Sequence, residues 1–491
     1  MIGAADAWGT VRYSTAGMPS DKLLRVAVIP HARAPLWNRA VFDSLRETQG
    51  LDLDIQSSTN PQSAIRNPQS CDAIVDLAGT ATDVEPRFGV WRYAFGDGAP
   101  LADGAPGTYV RLQRSTPDPD RAVVLHEGWY RARTAEGWGT RSVGDRVAPW
   151  AARVLRQIQL GDRRIVDRAP HSTAGCRDPL PPEPPSPLGA VRVDAMDTVR
   201  SWLTRQRWTI GVIPIGVEDI IQRGTLPEPT WLAGQPSDRF YADPFPIAVC
   251  GDRMRVLVEE YIYPSRVKRL AEIEIGCAGD FLRRTGDGTL PRPASYPFLL
   301  RRDGRLFCMP ETSGARRVSS FVSDDGGRSW MHHRDVLTGF PFVDATLVEH
   351  DGTWWMFCTK QGDEDQTELH VFFATDWCGP WQPHPLNPVK SDTRSSRPAG
   401  ACLRIDGVLY RPAQDCARRY GAGLAINRIV ELSPRAFREE TVLSLRPAQS
   451  SLWPHGMHTI NSIGGITVVD GLRVERRWEH PAIERQGRKD G

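Results

Sequence analysis

The chain has 491 residues, with 61 basic and 59 acidic side chains and a formal net charge of +2. That length is too great for one hydrophobic core and requires two or three domains. Near-neutral charge argues against nucleic acid or an anionic membrane as partner, whereas 16 Trp, 40 Pro and 44 Gly suit a β-rich, turn-rich architecture.

Met1 to Thr10 carries neither a basic n-region nor an apolar h-region, and no run approaches 18 apolar residues. Neither secretion nor a membrane span is therefore expected, and a cytoplasmic location is. Leu24–Pro30 (LRVAVIP) is a β-branched run, Trp37–Thr48 is amphipathic, and Ala73–Leu77 (AIVDL) is a second apolar run. Strand, helix, strand predicts an open, Rossmann-type α/β sheet over 1–176. No GxGxxG or Walker loop follows the first strand, so no dinucleotide or triphosphate site is expected. Nine cysteines (71, 176, 250, 277, 308, 358, 378, 402 and 416) form no CxxC pair and no zinc spacing, which predicts free, mostly buried thiols.

Pro179–Pro187 reads PLPPEPPSP. Proline at that density ends helices and central strands, so 177–204 is expected to be an extended linker. Beyond it the chain repeats. Five heads, at Asp243, Tyr296, Asp344, Arg397 and His458, each lead through a D-G or G-G type turn to a second apolar strand. A hairpin recurring about every 50 residues, with room for two further strands, predicts a five-bladed β-propeller over 205–480, leaving 481–491 as a tail. Ser323–Trp330 (SDDGGRSW) fits the S-x-D-x-G-x-x-W Asp-box turn, and Ala374–Trp381 occupies the same place one blade later. Both are structural.

The first strand of a propeller blade lies nearest the axis, so the five heads should converge on one pocket. Four ionisable groups and a tyrosine at five equivalent positions suit a polar ligand. Asp243 and Asp344 supply the two carboxylates that glycosidic-bond chemistry needs, and Glu311, ending the second strand of blade two, is a third candidate acid. Tyr296, Arg397, His458, Asp415 and Glu260 are candidate substrate contacts, and Glu259 is a weaker candidate carboxylate beside Glu260. No cofactor is expected. A divalent cation beside His458 stays open without a motif to support it.

FYADPF, PETS, VDATLV, GPWQPHPLNPV, SRPAG and LYRPAQD, all within roughly 205–475, resemble the N-terminal propeller domain of the glucosamine inositolphosphorylceramide transferases. The blade-one Ala-Asp-Pro-Phe, a second Asp two blades on and a Glu between them also resemble the five-bladed glycosidases. There one Asp is base or nucleophile, another tunes, and a Glu is the acid. That acid usually sits on a later inner strand, where this chain has Arg397, so Glu311 is its substitute here. Asp76-Leu77-Ala78-Gly79, Gly89–Asp97 and Gly104–Gly107 resemble the formyltransferase fold. Its Asn/His/Asp set is not intact, with Ala94 near the expected His, so a degenerate domain without a folate donor is implied.

The leading expectation is a carbohydrate-active enzyme of surface-glycan or glycoconjugate metabolism that cleaves or transfers a glycosyl unit, with a sugar or nucleotide sugar as substrate. A non-catalytic glycan- or nucleotide-sugar-binding propeller and a sugar N-formyltransferase are the alternatives. Sugar, linkage, acceptor and oligomeric state are not legible.

Overall fold

A computed structural model describes residues 23–55, 71–80, 85–96, 107–131, 143–174, 202–286, 290–362 and 365–476. The proline tract, Cys176, Asp97, Gly104–Pro106 and the tail from 481 lie outside them.

The N-terminal region is one mixed sheet of seven strands. Leu24–Ile29 runs parallel to both Leu51–Ile55 and Ala73–Asp76, and Ala73–Asp76 runs parallel to Val90–Gly96. From there Gly107–Ser115, Arg121–Arg131 and His171–Ser172 continue antiparallel. Helices Pro35–Arg46 and Trp150–Gln159 bury Trp37, Val41, Leu45, Trp150, Val154 and Leu155 in its core. The expected strand–helix–strand start is present, but half of the sheet is antiparallel and few helices cover it. The likeness to a formyltransferase gains no support. Asp76 is spent in an ion pair with Arg92 Nε at 2.9 Å, and Ala94 is buried in mid-strand. Leu51–Ile55 escaped the sequence reading because it is short and alternates Leu and Ile with Asp.

Residues 204–476 form five blades of four principal strands, as the repeat predicts. The first four blades follow one another in chain order. The fifth is composite: its inner strands are Ile460–Ile463 and Ile466–Arg476, and its outer strands are Thr204–Ile213 and Thr230–Trp231. The ring therefore closes by ten paired residues between the two ends of the domain, from Thr467↔Ile213 to Arg476↔Thr204. Apolar clusters fill each junction between blades. Ile247, Leu257, Leu306 and Phe321 join blades one and two; Phe298, Phe307, Phe342 and Met356 join two and three. Each face of an inner strand is thus buried against a neighbouring blade, which explains the continuous apolar runs in strands such as Thr353–Lys360.

The Asp-box turn behaves as expected. Ser323 Oγ accepts from Gly327 N (2.7 Å) and Asp325 Oδ1 from Arg328 N and Ser329 N (both 2.9 Å), while Trp330 is buried beneath. Among the described residues eight cysteines are free; Cys308, Cys358 and Cys416 are buried, but Cys250 is exposed. No described helix is long and apolar enough to cross a membrane.

Candidate functional site

The heads reach the axis through a shared backbone device. Asp243, Tyr296 and Asp344 adopt φ of 50°, 39° and 51°, in the left-handed region that L-residues avoid. Each sits in a β-bulge, between Ala242 and Phe245, Ser295 and Phe298, and Val343 and Thr346. A bulge re-aims the side chain off the strand's regular alternation, and the strain of about 1–3 kcal/mol per residue is held by the surrounding sheet.

Asp243 and Asp344 are almost fully buried. Asp243 Oδ1 accepts from Thr459 Oγ1 at 2.7 Å and faces His458 Nε2 at 3.4 Å, while its Oδ2 accepts from Tyr296 N at 3.1 Å. The other ring nitrogen of His458, Nδ1, lies 2.6 Å from Asp470 Oδ2. Burial alone would lower the His458 imidazole, but Asp470 and then Asp243 outweigh it and raise it to about 9. His458 is therefore an imidazolium held between two carboxylates. Asp243, His458 and Asp470 also bring one ligand atom each within 4.8 Å of one another. Both imidazole nitrogens face carboxylates, so a cation would have to displace a proton to use this set.

Across the axis, Asp344 Oδ2 accepts from Arg397 Nε at 2.7 Å and Gln414 Nε2 at 3.0 Å. Arg397 also lies 3.6 Å from Asp365 and over the Tyr420 ring. Burial raises Asp344 well above the usual carboxylate range; Arg397 opposes this, while Glu311 and Asp243 add to it. Glu311 is thus near enough to Asp344 for the two carboxyls to repel each other when both are charged. Like charge at such close quarters favours the state in which one carboxyl of the two is protonated.

Glu259 completes the set. Burial pushes it up to about 7 despite Lys268 Nζ at 3.7 Å, with Asp243 and Glu311 adding like charge. Glu311 and Lys268 line a cleft of about 730 Å³ that opens over blade two. Asp243, Asp344, Glu311, Arg397 and His458 are thus brought together, as the repeat predicts.

Three candidate substrate contacts fall elsewhere. Tyr296 is fully buried, and its hydroxyl is engaged by Thr346 Oγ1 and Gly400 N, both at 2.7 Å, so it braces the core. Glu260 is ion-paired to Arg239, Arg269 and Arg284 at 2.9, 2.7 and 3.2 Å. Asp415 is paired to Arg446 at 2.7 Å. The cause is strand alternation: Glu260 and Asp415 each follow a residue that faces the axis, Glu259 and Gln414, and so point to the opposite face. Sequence reasoning gave Glu259 too little weight and missed Gln414, Asp365, Lys268 and Asp470. The strand register supplies what the sequence pattern lacked: Ala242↔Glu259, Ser295↔Glu311 and Val343↔Thr359 make Glu259 the blade-one counterpart of Glu311. Asp365 lies between strands, where no repeat marks it.

Residues 292–452 match the family model described as glucosamine inositolphosphorylceramide transferase 1, N-terminal. A relative of that name from Oryza sativa subsp. japonica is 30% identical over 259 residues, which are 49% of this chain and 34% of the relative. Its counterpart in Arabidopsis thaliana is 30% identical over 153 residues, 30% of this chain and 20% of that one. The chain thus spans about a third or less of the curated relatives it matches. Solved structures with some likeness include a family 117 glycoside hydrolase from Zobellia galactanivorans (13% identity, TM-score 0.35, 54% of this chain and 90% of that one). Another is a GH43 β-xylosidase/α-arabinofuranosidase from a compost metagenome (12%, TM-score 0.35, 48% and 90%). The propeller is similar to the N-terminal domain of the glucosamine inositolphosphorylceramide transferases.

Proposed function

We propose that the axial pocket binds a sugar and handles a glycosyl unit, with Glu259 and Glu311 as the proton-carrying groups. The observation that carries this reading is the cluster of Glu259, Glu311, Asp243 and Asp344, in which burial and like charge raise Asp344 well above the usual carboxylate range and Glu259 to about 7. A carboxyl that holds a proton beside one that does not is what protonation of a leaving oxygen and activation of an acceptor require. Glu311 borders the open cleft, whereas Asp243 and Asp344 are buried and do not line it. In this reading Asp344, fixed by Arg397 and Gln414, sets the proton on Glu311. Asp243, fixed by Thr459, Tyr296 N and His458, places negative charge under the sugar, where an oxocarbenium-like centre would develop.

Transfer is favoured over hydrolysis because the relatives from both plants are named transferases. A nucleotide sugar or another activated glycoside would be the donor, in surface-glycan or glycoconjugate metabolism. The test is a screen of the full chain against nucleotide sugars and nitrophenyl glycosides, followed by Glu311→Gln and Glu259→Gln. Each substitution should lower turnover by a factor of about 10²–10⁴ with the fold intact. Full activity in both would refute the assignment.

A second reading is a sugar-binding propeller without catalysis. It is favoured by the near-complete burial of Asp243 and Asp344, which limits their access to a reacting carbon. Sugar binding seen by calorimetry with no turnover of any activated sugar would select it.

A further inference from the structure

A second cavity, about 740 Å³, lies at the seam between the N-terminal sheet and blade four. Its walls come from strand Arg121–Arg131, helix Trp150–Gln159 and the turn at Arg164–Asp167 on one side, and from 386–395 and strand Ala436–Leu445 on the other. Most cations around it are neutralised: Lys390 by Glu439 and Arg438 by Glu440, at 2.7 and 2.8 Å. Arg394 is likewise paired with Asp392 and Arg446 with Asp415, at 2.5 and 2.7 Å.

Two cations and one imidazole are not. Arg168 is half-buried and has no hydrogen bond or ion pair among the described residues; burial and then the nearby Arg438 lower its basicity, only partly offset by Asp162 and Glu431. Arg153 has only a loose contact, 4.0 Å, with Glu368, and its buried Nη1 has no hydrogen-bond partner. His126 Nε2 is also buried and unpartnered. Burial first, and then Arg153, Arg168 and Lys390, push this imidazole down to about 3, so it is neutral. Buried polar groups left unsatisfied beside two cations without close counter-charges are costly unless a ligand completes them. Leu125, Ile165, Leu386 and Phe437 add apolar wall.

We propose that this seam cavity is a second binding site, for a small organic phosphate whose phosphoryl oxygens are held by Arg153 and Arg168. Guanidinium groups match phosphate oxygens in charge and fork geometry, and the volume suits a ligand of sugar-phosphate or nucleotide size. Because both bodies line the cavity, the ligand also ties the N-terminal sheet to the propeller. The site is separate from the axial pocket, and the proposal stands whether or not that pocket is catalytic.

Thermal unfolding of the full chain, alone and with inorganic phosphate, glucose 1-phosphate or UDP, tests it. At least one of the two organic phosphates should raise Tm in a saturable manner. Arg168→Met removes a half-buried charge that has no partner, so without ligand it should fold with Tm unchanged or higher. It should also weaken the effective organic phosphate at least tenfold, as should Arg153→Met. Response to glucose 1-phosphate alone identifies a sugar phosphate, and response to UDP a nucleotide. Stabilisation by inorganic phosphate only, by none of the three probes, or equally in wild type and Arg168→Met would overturn the proposal.

Discussion

His458 shows how one residue is tuned by its neighbours. Its folded state is raised to about 9 by Asp470 and Asp243, against an unfolded value near 6.5. The native state therefore binds the proton more tightly, and the stabilisation is complete below about pH 6.5 and is lost as pH rises through about 9. The tighter grip on that one proton is worth on the order of 3 kcal/mol. Denaturant midpoints measured at pH 6 and pH 9.5 should fall accordingly, and His458→Gln should flatten the difference. Glu259 titrates in a different window. If it donates the proton in turnover, kcat/KM falls as pH rises through about 7, and Glu259→Gln removes that limb from the profile along with most of the rate.

At the scale of a strand, adjacent residues have opposite duties. Glu259 faces the axis and Glu260 faces three arginines. Removing one partner from a buried ionic cluster costs about 3–5 kcal/mol because the others are left uncompensated. Glu260→Ala should therefore lower the unfolding free energy by that order while the surviving folded fraction binds sugar normally. Glu259→Gln should do the reverse, and calorimetry with chemical denaturation separates the two. The Asp-box supplies a purely structural control. Trp330 packs in the core between blades one and two, and Trp330→Ala should cost about 3–5 kcal/mol through the cavity it leaves, without altering the pH profile of activity.

At the scale of the molecule, two features tie the ends together. Blade five is assembled from the first and last strands of the propeller, so the ring has no free edge there. The N-terminal sheet then docks on blades three and four: Thr393 N and Oγ1 donate to Trp129 O at 3.0 and 2.6 Å, and Tyr130 OH lies 2.7 Å from Ser391 Oγ. Gly128 is what permits this approach, since a Cβ there would meet Ser391 O at 2.2 Å. Gly128→Ala should open the seam. The expected result is loss of a single cooperative thermal transition in favour of two, seen by calorimetry, with faster proteolysis between the N-terminal sheet and the propeller.

The chain's own repeat was enough to determine the propeller, the five heads and the position of Glu311, because a period-two strand ended by a D-G turn has few other solutions. Local pattern likewise marked Ser323–Trp330 as a turn. Which carboxyl faces the axis was not legible in that pattern. Glu259 and Glu260 are neighbours of identical chemistry, and only the register with Ala242 and Tyr241 assigns one to the pocket and the other to Arg239, Arg269 and Arg284. Tyr296 shares the heads' backbone but turns its hydroxyl into the core, a choice made by Thr346 and Gly400 from other blades. The charge states of His458, Asp344 and Glu259 are further still from the sequence. They arise from desolvation and from charges brought across the axis by chain segments as far apart as Asp243 and Asp470, and only the closed ring puts those groups within reach of one another.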